Sequence, residues 1–118
     1  MGDINIIYYN DFGIAFKWKK CAAKDLKKIQ LVFRNTGLFL TPNELIQFSK
    51  NIKSALKQSL KCKGCNHQNS CKSILLETPI AQTSFAMNYY ELKEINDLVK
   101  GTRFQLELNK LIENLIVF

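Results

Sequence analysis

The chain switches between two hydrophobic periods, and the switches come in a repeated order. Ile4 to Tyr9 reads as a strand, and Asn10-Asp11 supplies turn residues. Phe12, Ile14, Phe16 and Trp18 then alternate with Gly13, Ala15, Lys17 and Lys19. A period of two marks a half-buried strand, so the chain is expected to begin with a hairpin whose apolar side carries Trp18 into the core. After a polar connection from Cys21 to Asp25, Ile29, Leu31 and Phe33 face one way while Gln30, Val32 and Arg34 face the other. A turn at Asn35-Thr36-Gly37 leads to a second strand through Leu40, and Thr41-Pro42-Asn43-Glu44-Leu45 opens a helix. The same ββα plan then returns. Ser73 to Glu77 is a strand, Thr78-Pro79 a turn, Ser84 to Met87 a strand, and Asn88-Tyr89-Tyr90-Glu91-Leu92 opens another helix.

Both helix starts are written in side chain and in spacing. Thr41 and Asn88 are N-cap types, and Glu44 and Glu91 stand three residues on, where a carboxylate reaches back to the cap amide. Pro42 suits the first helical position, where its missing N–H would have been unpaired anyway. Leu45, Phe48, Ile52, Leu56 and Leu60 form one apolar stripe in the first helix, with Lys50, Lys53, Lys57 and Lys61 beside it. Leu92, Ile95, Leu98 and Val99 form the stripe of the second. Gly101 is placed to end that helix, and Thr102 with Gln105 to cap a third that carries Phe104, Leu108, Leu111, Ile112 and Leu115. Residues 61–72 form a polar loop with neither period.

These elements predict a single α+β domain over 1–118. Its sheet is antiparallel, of about six strands from three hairpins in ββ-ββα-ββα order, with the helices packed on one face. The opposite face is expected to present Gln30, Val32, Arg34, Lys17 and Lys19. A length of 118 residues suits one core rather than two.

Composition alters this picture little. Met1-Gly2-Asp3-Ile4-Asn5 lacks a secretory pattern, Ile6 stands where myristoylation prefers Ser or Thr, and no apolar run approaches membrane-spanning length, so the expected compartment is the cytoplasm and no membrane partner is expected. The net charge of +7 suggests an acidic partner such as nucleic acid. Nearly all of that charge is lysine, which lacks the planar fork arginine uses to read phosphate and bases. A chain rich in Lys, Asn and Ile also follows from AT-rich coding alone.

Four cysteines in a reducing compartment point to metal, redox chemistry or packing before disulfides. Cys62-x-x-Cys65-x5-Cys71, with His67 between, gathers the candidate zinc ligands, because a C-x-x-C knuckle presents two thiolates from one turn. The fourth ligand would be His67 or Cys21. Lys61, Lys63 and Lys72 would offset thiolate charge, and they would equally lower a thiol pKa for redox work. Thioredoxin-like knuckles open a helix after a strand, whereas this one follows a helix end. No nucleophile elbow, Walker loop, dinucleotide fingerprint or metalloprotease helix is present, and Glu44 and Glu91 are explained by capping.

Phe33-Arg34-Asn35-Thr36-Gly37-Leu38-Phe39-Leu40-Thr41-Pro42-Asn43-Glu44-Leu45-Ile46-Gln47-Phe48 resembles the core motif of a family of small Bacteroidetes proteins of unknown function. That motif reads Phe-Gly-Asn, a short strand ending in Leu-Thr, then Glu-Leu and Phe in the helix, and Asn88 to Leu92 is similar to the family's second helix. Arg34 stands at the Gly position, and of the Cys pair that often precedes the strand only Cys21 is present. The resemblance implies a fold and no activity.

The sequence therefore predicts a non-catalytic binding or interaction module. Leu115-Ile116-Val117-Phe118 is apolar on every side, and such a terminus is expected to meet a second copy, making a homodimer. The alternative function is nucleic-acid binding through the helix lysines and the Lys17 to Lys28 region, and the third is a thiol redox protein.

Overall fold

The computed structural model describes residues 4–19, 27–61 and 74–116. Strands β1 (Ile4–Tyr9), β2 (Gly13–Trp18), β3 (Ile29–Phe33) and β4 (Thr36–Leu40) form an antiparallel meander in the order β1-β2-β3-β4. Helix α1 (Pro42–Lys61) follows, then β5 (Ile74–Glu77) and β6 (Ser84–Met87), which pair only with each other, then α2 (Tyr89–Ile116). The class is α+β, but the expected six-stranded sheet is divided into four strands and two. β5 and β6 do not extend β4 because their apolar residues are used elsewhere. Leu76 and Met87 are buried in the core, Phe85 meets the Phe33 ring edge-on at 5.4 Å, and Asn51 of α1 donates to the Glu77 carbonyl at 2.9 Å.

Both capping boxes form. The Thr41 amide donates to Glu44 Oε1 at 2.8 Å and the Glu44 amide to Thr41 Oγ1 at 3.1 Å. Asn88 and Glu91 exchange the equivalent bonds at 3.0 and 2.8 Å. Each box satisfies two amides that a helix start otherwise leaves unpaired. From these starts, Leu45, Phe48 and Ile52 of α1 and Leu92, Ile95, Leu98 and Val99 of α2 enter one core with Ile29, Leu31, Phe33, Leu38 and Leu40.

The structure corrects the expected break in the second helix. α2 runs through Gly101, and the Thr102 hydroxyl donates to the Leu98 carbonyl at 2.6 Å instead of capping a new helix. Gly101 is there for space, because a Cβ at this position would overlap the Tyr8 ring of β1. Arg103 then ties α2 to α1 by donating to Ser49 Oγ at 3.2 Å.

Register corrects the expected faces of β2. Ala15 pairs with Leu31 and Leu31 with Leu38, so Ala15 lies on the helix-covered side and is fully buried. Ile14, Phe16 and Trp18 therefore occupy the opposite face with Val32, Gln30 and Phe39. Trp18 is 39% exposed and outside the core, and Lys17, expected on the open face, points to the other side. The cause is volume. α2 lies across β1 and β2, and the small, fully buried Ala15 leaves it room, whereas Gly13 is kept small by β3. Gly13 has no room even for a Cβ, which would meet the Val32 carbonyl and Phe33.

The β3–β4 turn is also one residue tighter than expected. Phe33 pairs with Thr36, leaving Arg34-Asn35 as the loop, and Arg34 adopts φ 54°. That is a left-handed conformation glycine takes without cost and other residues at roughly 1 kcal/mol or more. The Arg34 side chain is held by an ion pair with buried Glu91 and lies 5.4 Å from the Phe12 ring centroid.

Candidate interaction surfaces

The candidate zinc ligands Cys62, Cys65, Cys71, His67 and Cys21 lie outside the described residues. Among the described residues no three His, Cys, Asp or Glu side chains come together as a metal site. No described helix is long and apolar enough to cross a membrane.

The polar clusters within the described residues are fasteners. Asp97 of α2 accepts from the Tyr8 hydroxyl at 3.0 Å and from Asn10 Nδ2 at 2.9 Å, and the same amide group donates to the Glu94 carbonyl at 3.1 Å. Asn10 Oδ1 in turn accepts from the Phe12 and Gly13 amides, so the β1–β2 turn is locked onto α2. The bond to the Asp97 carboxylate, with burial and the charge of Asp97 adding to it, holds the Tyr8 pKa above its ordinary value. A hydroxyl kept protonated in this way is a donor and not a base. Shallow depressions lie at the β5–β6 turn, between α1 and β5, and at the first turn of α2. None of these brings a nucleophile and an oriented base together.

Two apolar surfaces remain uncovered among the described residues. The first is the outer half of α2, where Phe104, Leu108, Leu111, Ile112 and Leu115 are exposed, Leu115 to 68%. Phe104, Leu108, Leu111 and Leu115 recur at four, three and four residues, the spacing of a heptad seam. A helix of 28 residues spans about 42 Å, and this one forms much of the long dimension of a molecule measuring 56 × 28 × 26 Å.

The second is the open face of the four-stranded sheet. Pairing arranges it in rows: Ile4 beside Trp18; Ile6, Phe16, Gln30 and Phe39; and Tyr9, Ile14, Val32 and Gly37. A bulge in β1 produces the third row, because the register shifts between Ile6 and Tyr8, turning Tyr8 toward α2 and Tyr9 outward. Trp18 meets the Phe16 ring edge-on at 5.1 Å and donates through Nε1 to Gln30 Oε1 at 3.3 Å. Lys28 Nζ lies 5.2 Å from the Phe39 ring centroid. Sequence reading placed Gln30 and Val32 on this face but put Ile14, Phe16 and Trp18 in the core, because alternation distinguishes two faces of a strand without saying which one a helix covers. The small residues Gly13 and Ala15 were the available signal.

The lysine stripe is placed as expected where it is described, with Lys50, Lys53 and Lys57 exposed along α1. No family model, curated protein or solved structure matches the chain.

Proposed function

We propose that this protein is a non-catalytic interaction module that works as a homodimer, the outer half of α2 packing on the same segment of a second copy. The observation that carries the reading is the exposed heptad seam of Phe104, Leu108, Leu111 and Leu115, widened by Ile112. A seam of this spacing is self-complementary, since knobs on one helix fit holes on an identical neighbour. These side chains expose on the order of 500 Å² per chain, so pairing would remove about 1,000 Å² from water, near the lower limit for a specific interface. The absence of an oriented catalytic set among the described residues supports the same reading. So do the cap-and-core motifs behind the resemblance to small Bacteroidetes proteins, which are structural in kind.

Native mass spectrometry of protein purified without chelator tests the assembly. A dimer is expected for the unaltered chain, and Leu111→Glu with Leu115→Glu should give a folded monomer that loses helicity only in the outer turns of α2. An unaltered chain that stays monomeric at concentrations of about 50 μM, far above a micromolar dissociation constant, would refute the dimer. The proposal includes a structural zinc ion on Cys62, Cys65 and Cys71 with His67 or Cys21 as fourth ligand. The same spectrum would register it as one zinc per chain, lost in Cys62→Ser.

A further inference from the structure

We propose that the open face of the four-stranded sheet binds single-stranded nucleic acid, with Tyr9, Trp18 and Phe39 stacking on bases and Lys19, Lys27 and Lys28 meeting phosphates. Base stacking needs aromatic faces that are reachable and separated, and this sheet supplies both. Tyr9 is 69% exposed and Trp18 39% exposed, and they stand in different rows of one face. Trp18 and Phe39 are two strands and two residues apart, roughly 12 Å, which leaves room for a separate base on each.

Charge selects the occupant. Lys19 follows Trp18 at the end of β2, and Lys27 and Lys28 lead into β3, so the lysines gather at the end of the sheet where Trp18 and Phe39 lie. Lys19 and Lys27 are exposed. Among the described residues from Ile4 to Leu40, Asp11 is the only acid, and it belongs to the β1–β2 turn at the opposite end of β2. The other described acids, apart from Glu44, sit on β5 and α2. An apolar protein partner would need no such segregation, whereas a phosphate backbone crossing the Trp18 and Phe39 rows would meet lysines at their edge, with Asp11 lying beyond Tyr9 at the far end. This surface is distinct from the α1 lysine stripe and from the α2 seam, so the inference goes beyond the dimer.

Trp18 is the only tryptophan, which makes the full chain its own reporter. Titration with a short oligothymidylate or oligouridylate at about 50 mM salt should quench Trp18 emission saturably, and three phosphate contacts predict a slope of about −2 in log affinity against log salt. Tyr9→Ala, at an exposed position where folding is not at stake, should weaken binding about tenfold. Lys28→Gln should reduce the salt slope by about 0.7. The combined Lys50→Gln, Lys53→Gln and Lys57→Gln variant should bind as the unaltered chain does.

Three outcomes of the titration would overturn the proposal. They are the absence of saturable quenching at low salt, binding that survives Tyr9→Ala and Lys28→Gln but is lost in the α1 variant, and equal affinity for duplex, which cannot stack its bases on the sheet. A blue shift of Trp18 emission with protein concentration alone would assign the face to a second copy and overturn it as well. Running the titration also on the Leu111→Glu, Leu115→Glu protein separates the two readings, since nucleic-acid binding by a monomer stands whether or not α2 pairs.

Discussion

Tyr8 gives up its proton less readily than a free tyrosine, because the Asp97 carboxylate accepts its hydroxyl bond and that bond ends when the hydroxyl ionises. The sign of the consequence follows from the direction of the shift. A pKa raised in the folded state favours folding of the protonated form, so the contribution is whole below the ordinary tyrosine value of about 10 and drains as pH rises through the higher folded value. The urea midpoint should therefore fall more steeply above pH 10 for the unaltered chain than for Tyr8→Phe. Parallel curves would show that the bond to Asp97 contributes nothing. Arg34 illustrates a different balance at the same scale. It accepts a left-handed backbone that glycine takes more readily, and its side chain reaches the Glu91 carboxylate that caps α2. A single residue thereby joins the tightest turn of the sheet to the start of the longest helix.

Among the elements, β2 is the instructive one. Its bulky residues, Ile14, Phe16 and Trp18, face away from the helices, and its small ones, Gly13 and Ala15, face toward them. Ala15 is fully buried between the sheet and the core. Ala15→Val should therefore cost about 1–3 kcal/mol by overpacking, despite the higher strand propensity of valine. A urea midpoint at or above that of the parent would show that α2 does not depend on this close approach. The same strand marks the limit of what could be read beforehand. Capping boxes at Thr41 and Asn88, the α1 stripe and the alternation of β3 were legible, because each is decided by residues a few positions apart. The side of β2 that meets α2, the bulge in β1 and the separation of the β5–β6 hairpin from the main sheet were not, because each depends on an element distant in the chain. Gly101 belongs with these. Its local reading is a helix stop, and the reason it is helical is a tyrosine ring supplied from β1. The aromatic character of the open sheet face was hidden for the same reason, since Phe16 and Trp18 look like core until the register is known.

At the scale of the whole molecule, α2 does two unrelated things along one axis. Through Leu92, Ile95, Leu98, Val99 and Thr102 it is buried against the rest of the fold, and beyond Leu106 its apolar residues from Leu108 to Leu115 are exposed. The inner turns are thus held by tertiary packing, whereas the outer ones rest on helix propagation, which in water is barely favourable for so few residues. Order in the outer turns then becomes a matter of company. Deuterium uptake by the amides of residues 107–115 should slow as protein concentration is raised, while that of 92–99 stays constant, and uptake independent of concentration in both would mean that the seam is never occupied by a second copy. If it is occupied, the last turns of this helix make the abundance of the protein into a conformational variable: a scarce chain carries a fraying rod, an abundant one a finished strut.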